Sequence, residues 1–278
     1  MSRTFGSAVL VLCLVVAGRT ASADLIINVN YSGDSQYAAA FTSAAQTWQN
    51  LLRGYQNGVV ALAYAGSGYS IGQTVSTVTI NANLTAIDGA GGTLGSAGPT
   101  SAVVDQAGFT LATVGNMNFD IADAANLVTN GNWTNVILHE MGHVLGFGTL
   151  WNDNDVYVNG SGEFTGDNAT SVWNTEFGQT GTPNVELEGG GGTANAHWNE
   201  NSGGSGLVGI TDGLGRDMRD ELMTGWLNSN AFISNLTIAA FKDIGFLGAE
   251  AAPEPGTLAL ASLGLGALAL RRRRKKLA

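Results

Sequence analysis

Two histidines and a glutamate stand close together in the segment His139-Glu140-Met141-Gly142-His143. In a helix, residues four apart lie on the same face, so the rings of His139 and His143 can point at one metal ion. Neutral imidazole nitrogens are good ligands for zinc. Zinc lowers the pKa of a water molecule towards about 7, and Glu140 can accept the proton and pass it to a leaving amine. The pattern therefore predicts zinc-dependent hydrolysis of a peptide bond.

A catalytic zinc site usually has three protein ligands and one water molecule. The chain contains only three histidines, and the third, His197, is free to complete the site. The alternative is that these histidines are ordinary surface or core residues and Glu140 a solvated charge. The use of two of only three histidines in one motif favours the metal.

The motif is expected to lie on a helix that begins near Asn132 or Thr134, where a side chain can accept from the first backbone donors. Gly146 is expected to end this helix. Gly142 in its interior costs about 1 kcal/mol relative to alanine, so we expect a close packing contact or the geometry of the metal site to require a missing side chain. Three apolar residues should pack the helix against a sheet: Val136, Ile137 and Leu145.

The remaining pattern predicts an α+β domain with a twisted sheet. Forty glycines among 278 residues are about twice the usual share of roughly 7%, which indicates long connections. A flexible loop is expected from Gly89 to Pro99. The other predicted elements are strands over 25–30, 59–65, 74–84 and 117–120, and a helix over 36–54 with a stripe of Ala39, Phe41, Ala44, Trp48, Leu51 and Leu52.

The first 23 residues have the pattern of a cleavable signal peptide. Arg3 precedes an apolar run over 8–17, and Ala21-Ser22-Ala23 supplies small residues before a cleavage site at Asp24. A buried core helix is the alternative. The only cysteine, Cys13, lies in this segment, so the exported domain is expected to have no disulfide bond.

Between Asp24 and Ala252 the chain is strongly acidic. It carries 21 acidic residues against four basic ones, a formal charge of −17 (four positive charges against 21 negative). A phosphate backbone needs a basic face, so nucleic acid is excluded as a partner.

The C-terminus has three parts, which are Pro253-Glu254-Pro255, an apolar run over 257–270 and a basic cluster over 271–276. As a helix, fourteen residues span about 21 Å, less than the roughly 30 Å hydrocarbon core of a bilayer. This length predicts a transient anchor in the inner membrane with the basic cluster in the cytoplasm.

Residues 253–278 resemble the PEP-CTERM sorting signal of Gram-negative bacteria. That resemblance implies recognition by an exosortase, removal of the tail, and delivery to the cell surface or extracellular matrix. A simple membrane anchor is the alternative.

Thr149 stands six residues after His143, where the compact metzincin pattern places its third histidine. Instead, the segments 196–200 and 220–225 resemble the leishmanolysin family, in which a long insertion precedes that histidine. Segments 146–151 and 236–246 add to the resemblance, which spans about 117–246. It implies that His197 is the third zinc ligand and Met223 the methionine of the turn beneath the metal. It also implies a metzincin-like zinc peptidase domain over 24–250 with a loop-rich C-terminal subdomain.

Residues 152–167 offer many oxygen ligands in a glycine-rich setting and could hold calcium. Their spacing lacks a complete EF-hand loop, so solvated turns are the alternative. Asp120 and Asp123 are expected to be turn and capping residues.

Two functions follow from these observations. The first is a secreted or surface zinc metalloendopeptidase that acts on proteins or peptides with Glu140 as general base. The second is a catalytically silent matrix or surface protein that keeps the metzincin fold. Glu140 favours the enzyme, because a scaffold needs the metal ligands but no base.

Overall fold

The computed structural model describes residues 24–200 and 206–248. The predicted signal peptide and the sorting tail lie outside these residues. The described part is a mixed α+β fold with a twisted mixed sheet, as the sequence predicts. Its strands are β1 (Ile26–Ser32), β2 (Gly54–Tyr55), β3 (Val60–Ala63), β4 (Thr77–Thr85), β5 (Gly95–Asp105), β6 (Thr110–Asp120) and β7 (Phe246–Leu247). Its α-helices are α1 (Ala38–Leu52), α2 (Ile121–Thr129), α3 (Trp133–Val144), α4 (Asp167–Thr175) and α5 (Asn235–Asp243).

The main sheet has the order β1-β4-β6-β5-β3. Strands β1, β4 and β6 are parallel, whereas β5 runs antiparallel to β6 and β3 antiparallel to β5. Strands β2 and β7 form a separate antiparallel pair. The His139–His143 motif lies on helix α3, which follows the central strand β6 and the short helix α2.

Helix α1 packs beside α3 through one apolar face. Phe41, Ala44, Trp48 and Leu52 of the predicted stripe are buried, together with Ala45. Leu51 is only half-buried, and Ala39, in the first turn, is exposed, so the predicted stripe was wrong at that residue. The indole nitrogen of Trp48 donates to the Leu138 carbonyl at 3.0 Å, which fixes α1 against the helix of the motif.

Strand β5 replaces the second half of the predicted flexible loop. The prediction of a loop as far as Pro99 was wrong from Gly95 onward, because residues 95–99 pair with β6. Glycine and proline are unfavourable inside strands, and the ladder is irregular between Pro99 and Ser101. Pairing with β5 also extends β6 back to Thr110, well before the predicted start at Met117.

The chain after α3 forms the loop-rich C-terminal subdomain that the family resemblance implies. Short helices and turns dominate residues 145–200 and 206–234. Four fully buried aromatic rings pack together in its core: Phe147, Trp151, Phe164 and Trp198. Among the described residues, no helix combines the length and apolar character needed to cross a membrane.

Candidate metal centre

Helix α3 places the motif between the sheet and the C-terminal subdomain. It begins at Trp133 with Asn132 at the N-cap position, as predicted, but the Asn132 side chain caps no backbone donor. The predicted capping bond was wrong because Asn132 has helical backbone angles, whereas a capping residue is typically extended. Gly146 adopts φ of 115° just after the helix, in the role predicted for it. The three residues predicted to pack this helix are buried: Val136, Ile137 and Leu145.

The structure brings all three histidines to one point. The Nε2 atoms of His139, His143 and His197 lie 3.0 Å from one another in each of the three pairs. Among the described residues, this is the one group of three or more histidine, cysteine or acidic side chains arranged to share a metal ion.

Each ring is oriented through its other nitrogen. The Nδ1 atom of His139 lies 2.7 Å from the Leu222 carbonyl, that of His143 2.9 Å from the Phe147 carbonyl, and that of His197 2.8 Å from the Thr193 carbonyl. A carbonyl oxygen only accepts, so each Nδ1 carries the proton and each Nε2 presents a lone pair. Three lone pairs that converge within 3.0 Å repel one another unless a cation lies between them.

Burial keeps the imidazoles in the form that binds metal. It lowers the pKa of His139 and lowers the pKa of His197 to about 3. Burial, reinforced by the nearby His197 and His139, holds the pKa of His143 well below its usual value. All three rings are therefore neutral near pH 7, and neutral imidazole is the ligand that zinc requires.

Glu140 is buried beside the histidines, and burial raises its pKa to about 8 in the protein alone. A cation at the histidines would favour the ionised carboxylate and so oppose this effect. Strand β5 passes directly over the Glu140 side chain, because a Cβ atom on Gly95 would lie 3.0 Å from its Oε1. The sequence pattern did not reveal this contact.

His197 reaches the motif because two backbones approach closely. Gly148 has φ of 72°, and a Cβ there would lie 2.7 Å from Ala196 Cα and 2.8 Å from its carbonyl carbon. The backbone of Gly148, just after α3, thus packs against the backbone of Ala196, the residue that precedes His197. The next residue, Trp198, packs its ring 5.2 Å from that of Phe147, which anchors the same junction.

Met223 lies against Gly142 in the interior of α3. A Cβ on Gly142 would lie 2.9 Å from both the Met223 sulfur and its terminal carbon. Met223 is fully buried, so the methionine occupies the space that a larger residue at 142 would take. The close contact expected at Gly142 is present, and its partner is the Met223 side chain.

With this geometry established, comparison with known proteins identifies the class of the domain. A model of the leishmanolysin peptidase family matches residues 99–253, which is more than half of the chain. The chain belongs to the leishmanolysin family. A PEP-CTERM protein-sorting motif matches residues 251–275. No curated protein matches the chain.

Membership of the leishmanolysin family makes this a metallopeptidase domain of a zinc-dependent family. The three neutral nitrogens, close to a carboxylate, fit zinc as a donor set. Calcium prefers six to eight oxygen ligands, but among the described residues no group of three or more acidic side chains converges within 152–167, and Asn154 bonds Thr110 and the Leu150 carbonyl. The calcium prediction therefore gains no support.

The sequence did not reveal three features of this leishmanolysin-family site. The first part of strand β5, residues 95–99, lies in the segment predicted as a loop, and the orienting carbonyls belong to residues of no special type. The third feature is Glu221, which is buried and accepts a hydrogen bond from the Met223 amide. An acidic residue beside the apolar pair Leu222-Met223 was the only sequence signal for it.

Proposed function

We propose that this chain is an exported zinc metalloendopeptidase. In this proposal His139, His143 and His197 hold the zinc ion, and Glu140 is the general base. One observation carries it: three Nε2 lone pairs converge within 3.0 Å beside a buried carboxylate. When bound there, zinc would polarise a peptide carbonyl and lower the pKa of water.

Glu140 is suited to move protons in both directions. Burial raises the pKa of its carboxyl, and a catalytic acid or base works best when its pKa lies near the working pH. Its carboxylate would accept a proton from the attacking water and later donate that proton to the departing amine nitrogen. The position of Glu140, one residue after His139 on α3, keeps it beside the reacting bond.

Strand β5 offers a surface on which a peptide substrate could align. Strand β3 pairs only with Val103–Asp105 of β5, so within the described residues no strand pairs with the outer edge of 95–101. An extended peptide can add to such an edge through backbone hydrogen bonds. Because Gly95 lies against Glu140, a peptide on this edge would pass the catalytic carboxylate.

The two ends of the chain complete the proposal. Residues 1–23 would direct export, residues 24–250 would form the peptidase domain, and residues 253–278 would be the sorting tail. The PEP-CTERM match over 251–275 supports export to the cell surface of a Gram-negative bacterium, with recognition by an exosortase. The transient stay in the inner membrane remains part of this proposal, and proteins or peptides are the substrates.

Removal and return of the metal tests the proposed activity. We expect the full-length chain to contain one zinc ion, to hydrolyse casein, to lose this activity when a chelator removes the zinc, and to regain it with added zinc. Hydrolysis that survives complete removal of metal would overturn the proposal. A zinc-loaded chain that cleaves no protein or peptide would instead establish the silent surface protein.

A further inference from the structure

We infer that Glu221 is a positioning residue of the metal centre, which holds the Met223 turn and the segment of His197 against the start of α5. The inference rests on the proposed zinc site. Glu221 is 1% exposed. Its Oε2 accepts from the Met223 amide at 2.5 Å, and its Oε1 accepts from the Ser234 amide at 3.0 Å, the Ser234 hydroxyl at 2.8 Å and the Thr237 hydroxyl at 2.5 Å.

The first connection runs from Glu221 to His139. The hydrogen bond from the Met223 amide to the Glu221 carboxylate closes a short turn, and Leu222 is the residue between the two. The Leu222 carbonyl accepts from His139 Nδ1 at 2.7 Å, and the Leu222 amide donates to the Phe232 carbonyl at 2.8 Å. A change in the turn would therefore move the acceptor that fixes the tautomer and orientation of this ring.

The second connection runs from Glu221 to His197 through Trp198. The Thr237 hydroxyl accepts from the Trp198 indole at 2.9 Å and donates to Glu221. The Trp198 amide donates to the Met223 carbonyl at 3.0 Å. One carboxylate thus joins the neighbours of two histidines, although those histidines are 58 positions apart in the chain.

Each carboxylate oxygen of Glu221 faces a backbone amide, Oε2 that of Met223 and Oε1 that of Ser234, so both oxygens must accept. Backbone amides only donate, and the Ser234 hydroxyl already accepts from the Thr237 amide at 3.2 Å. The Thr237 hydroxyl likewise accepts from Trp198. Burial raises the pKa of Glu221 above its usual value, although its four hydrogen bonds oppose this rise. Because an ionised carboxylate is acceptor-only, it matches all four donors, whereas a glutamine amide would direct its own protons at one of them.

The test compares Glu221→Gln with Asp243→Asn. Asp243, at the other end of α5, also accepts from two backbone amides, those of Asn168 and Ala169, but it has no such connection to the histidines. In the full-length chain we expect Glu221→Gln to weaken zinc binding by about 10- to 100-fold, the range for lost partners of metal ligands. We also expect a shifted visible spectrum of the Co²⁺-substituted protein and a fall in kcat larger than any change in KM. Asp243→Asn should keep the wild-type zinc affinity and spectrum.

Thr237→Val is a second variant that tests the positioning role even if Glu221→Gln fails to fold. It removes one donor and the link to Trp198, and it should weaken zinc binding by a smaller factor and shift the Co²⁺ spectrum in the same direction. Folded variants with wild-type zinc affinity and spectrum would overturn the positioning role. A wild-type chain that binds no zinc would instead overturn the proposed function, so the two failures are distinguishable.

Discussion

Each of the three histidine rings donates its Nδ1 proton to a backbone carbonyl, and these carbonyls decide that each Nε2 faces the other two histidines at the proposed metal site. The spacing of His139, Glu140 and His143 was readable from the sequence because helix geometry alone puts the two rings on one face. The carbonyls were not, because every residue has one and only the tertiary fold selects three. His197 is predictable only as the remaining histidine and through the family resemblance, since no local geometry connects it to α3.

Gly148 gives a prediction at the scale of one residue. We expect Gly148→Ala to lower kcat/KM by about 100-fold and to weaken zinc binding, because the new methyl group would displace Ala196 and with it His197. Misplacement of a reacting group by about 1 Å can have an effect of this size. The measurement is zinc content and casein hydrolysis of the purified variant.

Gly181→Ala is the matched control for Gly148→Ala. Gly181 has φ of 78°, close to the 72° of Gly148, but a Cβ there meets no atom within 4 Å. Both variants carry a similar backbone strain, about 1–2 kcal/mol, and only one displaces the ligand segment. Equal losses of activity in the two variants would show that strain alone, and no contact with Ala196, matters at Gly148.

At the scale of elements, α3 could be predicted and β5 could not. The apolar residues Val136, Ile137 and Leu145 and the terminal Gly146 indicate a helix with an end. Strand β5 contains glycine and proline where it passes α3, and those residues are typical of loops. A Cβ atom on Gly95 would lie 3.0 Å from Glu140 Oε1, so a residue with a side chain would crowd Glu140 at this position. The small residue that lets the strand approach the site thus also conceals the strand in the sequence.

Asp120 gives a prediction about the loop that leads into β5. Its carboxylate accepts from four backbone amides, those of Ala122, at the start of α2, and of Ile87, Asp88 and Gly89. These bonds, that of Ala122 first, lower its pKa. A lowered pKa stabilises the fold fully above the unfolded value of about 3.9. That stabilisation is lost as the pH falls through the folded value.

We therefore expect Asp120→Asn to lower the free energy of unfolding near pH 7, and this deficit to shrink as the pH falls below about 4. The physical reason is that the protonated wild-type carboxyl then resembles the amide. Urea unfolding of both proteins between pH 7 and pH 3 measures the difference. A deficit that stays constant or grows in acid would contradict the assignment of this carboxylate as an ionised anchor.

At the scale of the whole molecule, the net charge and the two terminal segments indicate where the protein would act. The sequence predicted an acidic domain and two addressing segments from composition and order alone, and the PEP-CTERM match over 251–275 confirms the sorting motif. Composition could not predict how residues 145–200 and 206–234 fold, because glycine-rich turns carry little periodicity. The aromatic core of that subdomain depends on contacts between distant segments, such as Phe147 with Trp198.

The tail gives a prediction that is independent of catalysis. Replacement of Pro253, Glu254 and Pro255 by alanine leaves the apolar run and the basic cluster intact. If the motif is a sorting signal, the variant should accumulate in the inner membrane while its kcat/KM remains unchanged. Cell fractionation with immunoblotting provides the measurement, and deletion of 253–278 is the comparison. Normal delivery of the alanine variant to the cell surface would show that these three residues are not the sorting signal, whereas a wild-type chain that itself stays in the inner membrane would favour a simple anchor.

The central claim is that Glu140 moves protons at a zinc site built from His139, His143 and His197. Its most direct test measures bound zinc and peptide hydrolysis in the same preparation of Glu140→Gln, which keeps the shape of the side chain but removes the base. We expect one zinc ion per chain, as in the wild type, with kcat lower by about 10²- to 10⁴-fold, the usual contribution of a general base. Wild-type turnover by the zinc-loaded variant would contradict the account.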